Sequence, residues 1–348
     1  MSLNYNKILY GGGIHREGTS KSRYDALAKK FRTIDLLETE SSHKLLSKIK
    51  TRLLKNRYNS IDSEFKTQVK SVQYDLVWLD KPTRVSSECM KDVTQSNPRT
   101  IFVAHITDDI KTMVKYAPKL EDVLSYFDYV FTPNKFNIEE YPNIPLIYNE
   151  LGYDAALYEF PTDRCKNPKS TVGFVGHYEF EYANTMLMLA DKLLGSDFTL
   201  VVNGSGWWKC PKAWMHPKIK ISYGWVDLKR LLTIYTQASA AMGLYSIVNR
   251  NRTSGRIFEI SALGIPIITY GNSTIESAIG KNYIDLNLAS NIDNLPSILS
   301  DKSYLQSLGI NAYKHLVGAK CTWEDRVNEA LEHIYFTENV SKSIESSL

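Results

Sequence analysis

The sequence predicts an α/β protein made of two doubly wound units that face a cleft, and three observations support this fold class. Short apolar runs rich in β-branched and aromatic residues alternate with helix-like segments along the chain. An irregular stretch from Gly152 to Ser170 interrupts the alternation, which then starts again. The chain has 348 residues, about twice the usual length of one domain. We therefore expect two parallel sheets with ligands bound at the carboxyl ends of their strands.

The first half contains six predicted strands, separated by segments with helical spacing. The strands are Lys7–Tyr10, Arg32–Leu37, Asp75–Leu79, Thr100–His105, Tyr129–Thr132 and Pro145–Tyr148. The helical segments include Ser20–Phe31, Ser42–Lys55, Ile61–Val72 and Leu120–Phe127. Because helices stand between successive strands, we expect the strands to be parallel. We predict that residues 1–155 form the first domain.

The second half repeats this alternation with five further predicted strands. They are Thr171–Val175, Thr199–Val202, Ile219–Tyr223, Ala240–Leu244 and Pro266–Thr269. Helical spacing marks Tyr182–Leu194, Leu228–Ala238, Arg256–Leu263, Ser303–Leu316 and Thr322–Phe336. We predict a second domain at residues 156–330, followed by a terminal helix at 331–348.

Composition and charge exclude several classes of protein. Hydrophobic residues make up 43% and charged residues 23%, which is typical of a globular chain and excludes a disordered or collagen-like one. The net charge of +4 comes without a basic block, so the chain could contact phosphates but does not require nucleic acid. The four cysteines are too widely spaced to predict a zinc site or a disulfide scaffold. No apolar run is long enough for export or a membrane span, so we expect a cytoplasmic protein without a transmembrane segment.

The segment from Asn249 to Tyr270, NRNRTSGRIFEISALGIPIITY, carries the strongest chemical signal. A polar loop with three arginines runs into a predicted helix, and Thr253 and Ser254 are typical N-cap residues. The free N–H groups at a helix start favour an anion. Arg256 and Glu259 share one helix face, so the arginine could clamp a diphosphate while the glutamate accepts hydrogen bonds from a ribose. The alternative is a surface ion pair on an amphipathic helix.

This segment resembles the R-x-F-E-I-x-A-x-G signature of GT-B glycosyltransferases, and within them it is most similar to the CgeB-like (spore-maturation protein) family. Further segments fall in the order of that family: YDLVWLDKP at 74–82, VAHITDDI at 103–110, TVGFVGH at 171–177, VNGSGWWK at 202–209 and YGWV at 223–226. The resemblance implies the GT-B fold, with two Rossmann-like domains and a terminal helix that crosses back to the first. It also implies a nucleotide-diphosphate sugar as co-substrate. No Asp-x-Asp metal motif follows a predicted strand, so we expect no required metal and no tightly bound cofactor.

The resemblance also implies roles for individual residues. Glu259 would hold the donor ribose, and Arg256 would hold the diphosphate beside Ser254 at the helix start. The remaining donor-side residues would be Gly176 and His177 in the turn under the phosphates, Gly204 and Trp207 near the base or sugar, and Asn249 near the phosphates. For Trp207 the alternative is plain packing. Retaining enzymes of this fold often carry Glu-x7-Glu, and because Asn251 stands at the first of these positions, a retaining mechanism is less well supported.

The first half supplies candidates for proton transfer. Asp108 and Asp109 follow a predicted strand, and an inverting transfer needs a carboxylate that removes the proton of the acceptor hydroxyl. Adjacent side chains on an extended segment diverge, so one of the two would face the cleft; the alternative is that both cap the next helix or lie in solvent. His105 and His15 are weaker candidates. Gly12 and Gly13 lie in a glycine-rich loop that in GT-B proteins often contacts donor phosphates or acceptor, although a plain turn is the alternative.

Three functions remain open from the sequence. The first is a glycosyltransferase that moves a sugar from a nucleotide-diphosphate sugar to a hydroxyl of a surface glycan or glycolipid. The second is a phage-type DNA glycosyltransferase acting on hydroxylated modified bases, which the net positive charge would permit. The third is a non-catalytic sugar-nucleotide-binding protein, which would bind the donor without turnover.

Overall fold

The computed structural model describes residues 6–14, 18–39, 61–160, 168–247, 250 and 252–345. They form two compact units. One consists of the chain up to Gly152, the short segment 248–251 and the residues from Trp323 onward, and the other consists of Tyr153–Ile247 and Arg252–Thr322. The sequence predicts domain limits at residues 155 and 330, and in the structure the terminal segment of the first unit begins at Trp323.

The first unit is built on a parallel sheet of six strands in the order β2-β1-β3-β4-β5-β6. The strands are β1 (Lys7–Gly12), β2 (Thr33–Glu38), β3 (Leu76–Asp80), β4 (Ile101–His105), β5 (Tyr129–Thr132) and β6 (Leu146–Tyr148). Each of the six strands predicted from this half is present, because each is an apolar run with turn residues at its ends.

Helices cover both faces of this sheet. They are α1 (Thr19–Ala28), α2 (Asp62–Ser71), α3 (Ser87–Ser96), α4 (Ile110–Met113), α5 (Leu120–Leu124), α6 (Lys135–Glu140) and the terminal helix, numbered α15 (Trp323–Glu345). Along β3, Val77 and Leu79 face the core shared with α2, α3 and α5. Leu76 and Trp78 face the opposite core, which α15 completes. The predicted helix Ser42–Lys55 lies outside the described residues.

The second unit is built on another parallel sheet of six strands, in the order β12-β11-β10-β7-β8-β9. The strands are β7 (Lys169–Val175), β8 (Thr199–Gly204), β9 (Ile219–Tyr223), β10 (Ala238–Met242), β11 (Ile267–Thr269) and β12 (Ile284–Asp285). All five predicted strands are present. The additional strand β12 has two residues, which is too short to produce a recognisable alternation in the sequence.

The helices of the second unit enclose a separate hydrophobic core. They are α7 (Phe180–Lys192), α8 (Pro211–Met215), α9 (Leu228–Gln237), α10 (Gly255–Ala262), α11 (Ser273–Ile279), α12 (Ala289–Asp293), α13 (Leu295–Ser300) and α14 (Lys302–Gly318). Alternate residues of the central strand, Val172 and Phe174, pack against α7 in this core. Across the described part of the chain, no helix combines the length and the apolar character that a membrane span requires.

Candidate functional site

The carboxyl edge of the second sheet carries the predicted pair Arg256 and Glu259. Helix α10 brings them together three residues apart, and the Arg256 guanidinium forms an ion pair with the Glu259 carboxylate. The Arg256 Nε also donates to the carbonyl of Val175 at 3.3 Å, which places the pair beside the end of β7. The two side chains are 35% and 14% exposed, so the pair is accessible from one side.

The contact with Glu259 helps to keep Arg256 positively charged. Burial lowers the pKa of Arg256, but the Glu259 carboxylate together with the phenols of Tyr235 and Tyr158 raises it above its usual value, so Arg256 remains a cation. Tyr158, which is largely buried, hydrogen-bonds to the same carboxylate; burial first and then Glu259 raise the pKa of its phenol. Tyr158 falls in the stretch that the sequence predicts to be an irregular linker, and no local pattern indicated its contact with Glu259.

Two hydroxyls at the start of α10 have no hydrogen-bond partner among the described residues. They are the Thr253 Oγ1 and the Ser254 Oγ, and both atoms are buried. Ser254 occupies the N-cap position, as predicted, but its side chain accepts no capping hydrogen bond. A buried hydroxyl without a partner costs about 1–3 kcal/mol, so unpaired examples need an explanation. Their position beside a helix N-terminus and a guanidinium is suited to an anionic ligand.

A tight approach between β7 and β8 shapes the turn at Gly176. Gly204, at the end of β8, has φ +147, and a Cβ atom there would lie 2.0 Å from the carbonyl oxygen of Gly176. A side chain at position 204 would therefore push the turn away from its place. Gly204 therefore contributes to the shape of the turn by letting its backbone approach Gly176 closely.

Trp207 lies beneath this turn and not on its surface. Its side chain is fully buried, and the indole Nε1 donates to the carbonyl of Gly176 at 2.9 Å. The ring also packs edge-on against Phe174 and Tyr178. The expectation that Trp207 lies near the base or sugar is therefore corrected, because a fully buried ring supports the turn from behind. The neighbouring Trp208 is 64% exposed.

His177 follows Gly176 and is exposed at the same edge. Its Nε2 lies 3.2 Å from the Glu179 Oε1. This hydrogen bond raises the pKa of His177, although partial burial and the Arg256 cation oppose the rise. Asn249, the remaining predicted donor-side residue, lies outside the described residues.

The predicted carboxylates Asp108 and Asp109 have different surroundings in the first unit. Asp109 is buried, caps α4 by accepting from the Lys111 backbone N–H at 2.9 Å, and pairs with Arg250, whose Nη2 lies 2.9 Å from the Asp109 Oδ1. Asp108 is 28% exposed and pairs with the Lys81 Nζ at 2.7 Å. The alternative of a helix cap is thus observed for Asp109, while Asp108 faces solvent.

The histidine alternative that the structure describes, His105, does not lie at the surface of this edge. His105 is buried between Trp78, with ring centroids 6.3 Å apart, and Trp323, at 6.0 Å. Burial and then the Arg23 cation lower the pKa of His105 to about 3, so the ring is neutral near neutral pH. The suggestion that His105 could act as the base is therefore corrected. His15 lies outside the described residues.

A cavity of about 220 Å³, lined by both polar and apolar side chains, opens at the carboxyl edge of the first sheet. Gly12 ends β1, and Gly13 lines this cavity together with Ser20, Lys81 and Asp108. An apolar groove of about 320 Å³ adjoins it, between the segments 82–86 and 117–123. Residues 82–85 form a wall of both spaces. The structure thus brings Gly13 and Asp108, which are distant in sequence, to one cavity.

Metal ligands are not clustered in the described part of the chain. No group of three or more His, Cys, Asp or Glu side chains is placed there to hold a metal ion. At the carboxyl edge of the second sheet, Arg256 places a positive charge close to the N-terminus of α10.

Comparison with known proteins identifies the fold. No protein-family model matches the chain, and no curated protein matches it in sequence, so the CgeB-like resemblance stays a prediction. An alpha-glucosyltransferase in complex with UDP has a TM-score of 0.70 at 14% identity, covering 94% of this chain and 99% of that chain.

Two other solved structures are similar along their whole length. An alpha-glucosyltransferase with UDP and a 13-mer DNA containing a central A:G mismatch has a TM-score of 0.69 at 12% identity, covering 96% of this chain and 100% of that chain. HepE from Anabaena, in complex with UDP and glucose, has a TM-score of 0.61 at 12% identity, covering 95% and 100%. With its two parallel six-stranded sheets, the chain has the GT-B fold, which confirms the predicted fold class.

Proposed function

We propose that this protein is a glycosyltransferase that moves a sugar from a nucleotide-diphosphate sugar to an acceptor hydroxyl. The observation that carries the proposal is the Arg256–Glu259 pair at the start of α10, beside the unpartnered hydroxyls of Thr253 and Ser254. Structures of the same fold hold UDP or UDP-glucose, which supports a sugar nucleotide as the ligand of such a site.

In this proposal the second unit binds the donor. Glu259 accepts hydrogen bonds from the ribose hydroxyls, and Tyr158 holds its carboxylate in place. Arg256 and the N–H groups of α10 stabilise the negative charge that develops on the departing diphosphate, so the chemistry needs no metal ion. The buried hydroxyls of Thr253 and Ser254 donate to phosphate oxygens, which gives them the partners they otherwise lack.

The first unit supplies the base, and we assign this role to Asp108. Asp108 lines the cavity at the carboxyl edge of the first sheet and is partly exposed, whereas Asp109 is buried and held by Arg250. In an inverting transfer the acceptor oxygen bonds to the anomeric carbon while the bond from that carbon to the diphosphate oxygen breaks. The bonding electrons leave with the diphosphate, and Asp108 takes the proton of the acceptor hydroxyl.

The shape of the first unit favours a glycolipid or lipid-linked glycan as acceptor. The polar groups of Ser20, Lys81 and Asp108 in this cavity suit a hydroxylated head group, and the adjoining apolar groove suits a hydrocarbon chain across the wall formed by residues 82–85. DNA is the second candidate, because an alpha-glucosyltransferase of the same fold is in complex with DNA and the net charge here is +4. DNA binding would weaken steeply with added salt as counterions are released, whereas binding in an apolar groove would not.

The donor site is tested by isothermal titration calorimetry with UDP, GDP, dTDP and CDP on the full chain. We expect Glu259→Ala to weaken binding of the preferred nucleotide about ten- to a hundredfold, since hydrogen bonds to a charged group are worth about 1.5–3 kcal/mol. Glu329→Ala is the matched control, because Glu329 also pairs with an arginine three residues away, Arg326, but on α15. Equal affinity in wild type and Glu259→Ala would refute the assigned site. Donor binding without any sugar transfer or hydrolysis would favour the non-catalytic alternative.

A further inference from the structure

Three side chains at the carboxyl edge of the second sheet form a continuous chain of hydrogen bonds. The His177 Nε2 lies 3.2 Å from the Glu179 Oε1, and the Ser246 Oγ lies 2.9 Å from the Glu179 Oε2. His177 and Glu179 come from the turn between β7 and α7, while Ser246 comes from the loop after β10. Glu179 is 11% exposed, whereas His177 is 70% exposed. The chain therefore runs from the interior to the surface.

The position of Glu179 shows that its carboxylate is committed to this chain. Glu179 is the N-cap residue of α7, where an acidic side chain would ordinarily accept a hydrogen bond from a backbone N–H of the first turn. It makes no such capping bond. Instead, one carboxylate oxygen contacts His177 and the other accepts from Ser246. The two bonds fix the carboxylate, and through it the imidazole ring.

The charges around His177 favour its protonated form. Glu179 raises the pKa of His177 by hydrogen bonding, against the opposing effects of partial burial and of Arg256. On α7, Glu181 and the phenol of Tyr182 are the other titratable groups in electrostatic contact with this region. A protonated imidazole has two N–H donors. With Nε2 bonded to Glu179, the Nδ1–H of the protonated ring is available to a ligand, because the ring is exposed and no hydrogen bond to Nδ1 is made by the described residues.

A carboxylate at this edge would by itself repel a diphosphate. Gly176, which precedes His177, adjoins the strand end contacted by Arg256, and the unpartnered hydroxyls of Thr253 and Ser254 belong to the same unit. A proton on His177 converts the region around Glu179 from one that repels an anion into one that attracts it. Ligand and proton would then bind together.

We infer that Glu179 and Ser246 are positioning residues that hold His177 as an imidazolium directed at the donor diphosphate, so that donor binding is coupled to proton uptake. This inference rests on the proposed function of the same site. The protonated His177 adds a positive charge to those of Arg256 and the helix N-terminus, and raising the pH neutralises it. Affinity for the diphosphate should fall as the pH rises through the titration of His177, because the neutral ring contributes no positive charge.

The inference is tested by calorimetry of UDP binding between pH of about 6.5 and 8.5, in pairs of buffers with different ionisation enthalpies. Wild type should take up a fraction of a proton per UDP, and its affinity should fall about three- to tenfold across this range. His177→Gln should bind UDP more weakly at pH 6.5 and should lose the part of the proton uptake that is not due to UDP itself. GDP, dTDP and CDP replace UDP if UDP does not bind.

Variants of the partners test the positioning roles. Glu179→Gln keeps the shape of the side chain and removes its charge, so the fall in affinity should move to lower pH. Ser246→Ala should produce a smaller shift in the same direction. Glu181→Gln is the matched control, because it removes a charge from the same helix turn but makes no hydrogen bond to His177, and it should behave as wild type.

The outcomes separate the inference from the function on which it rests. If UDP binds and the pH dependence of affinity is the same in wild type, His177→Gln and Glu179→Gln, the inference is wrong and the proposed function stands. If none of the four nucleotides binds wild type, both are wrong. Should Glu179→Gln fail to fold, an NMR titration of the His177 ring in wild type and Ser246→Ala decides. A pKa of His177 in wild type at or below that of an ordinary exposed histidine would overturn the inference.

Discussion

An arginine–carboxylate pair lies at the carboxyl edge of the sheet in each unit, and the two pairs differ in what surrounds them. In the first unit Arg23 pairs with Asp80 at 2.6 Å, and the two side chains are 1% and 2% exposed. In the second unit Arg256 pairs with Glu259, at 35% and 14% exposure. The same two functional groups thus occur once in the core and once at an accessible edge.

The buried pair is enclosed by partners on every side of its carboxylate. Asp80 accepts hydrogen bonds from Arg23, from the Tyr10 hydroxyl at 2.7 Å and from the Trp78 indole at 3.1 Å. The Arg23 guanidinium also lies 4.5 Å from the ring centre of Trp323, on α15. By contrast, two buried hydroxyls with no partner among the described residues, those of Thr253 and Ser254, lie at the start of the helix that carries the Arg256–Glu259 pair. The Asp80 carboxylate thus finds its partners within the protein, although the buried Arg23 Nη1 has none among the described residues. Unpartnered hydroxyls beside an accessible charged pair, in contrast, are available to a ligand.

The largest expected effect is the difference in stability loss when the carboxylate of each pair is neutralised. Asp80→Asn leaves the buried Arg23 cation without its counter-charge, which should lower the free energy of unfolding by about 3–5 kcal/mol. Glu259→Gln makes the same chemical change beside a cation that solvent reaches, and should cost about 1 kcal/mol or less. Urea unfolding of both variants measures the difference. Equal losses would show that burial does not distinguish the two pairs.

Within the first unit, Asp109 is buried and Asp108 is partly exposed. This difference in exposure predicts the next largest effect. Asp108→Asn should reduce the rate of transfer from UDP-glucose about 10²–10⁴-fold and leave UDP affinity nearly unchanged, because asparagine keeps the size but takes no proton. Asp109→Asn should instead lower stability, since it removes the charge that pairs with Arg250, while the amide oxygen can still cap α4. Parental rates in both variants would show that neither residue is the base.

The buried network also predicts how stability depends on pH. Burial and the Arg23 cation lower the pKa of His105 to about 3, while an unfolded chain has a histidine pKa of about 6.5. The unfolded state therefore binds a proton below about pH 6.5 that the folded state does not bind until about pH 3. Stability from this group is complete above the unfolded pKa and is lost as the pH falls through this range, at up to about 1.4 kcal/mol per pH unit.

Urea unfolding at several pH values between about 7.5 and 4.5 measures this slope. His105→Gln removes the titrating ring and should show a shallower decline than wild type. Identical slopes would mean that His105 is protonated in the folded protein, contrary to its burial between Trp78 and Trp323.

Local features of the site could be predicted from the sequence, because the residues involved are neighbours in the chain. Arg256 and Glu259 are three positions apart on a helix, so their contact follows from helical geometry alone. The strands were predicted for a similar reason, since each is a continuous apolar run. The helix cap at Asp109 was foreseen as an alternative from its place just after a strand.

Contacts between distant residues could not be predicted in this way. Arg23 and Asp80 are separated by 57 positions, and Arg250 and Asp109 by 141. Nothing in the sequence distinguishes Trp207, which is fully buried, from Trp208, which is 64% exposed. The difference arises because Trp207 packs beneath the Gly176 turn, and that turn exists only once β7 and β8 are paired.

The smallest expected effect gives the most direct test of what incomplete hydrogen bonding means. Thr253→Val replaces a buried hydroxyl that has no partner among the described residues by a methyl group of similar size. Without ligand, the variant should be as stable as wild type or more stable by up to about 1 kcal/mol, because the unpaired hydroxyl no longer has to be buried. With UDP, the same variant should bind about three- to tenfold more weakly, because a donor to the phosphate is lost. Thr269→Val is the matched control, since the Thr269 hydroxyl is equally buried but donates to the Gly243 carbonyl at 2.7 Å. It should lose stability and keep its intrinsic affinity for UDP. If Thr253→Val instead destabilised the free protein by as much as Thr269→Val, the Thr253 hydroxyl would already have a partner, and the unit would hold no vacant hydrogen-bonding position there for a phosphate.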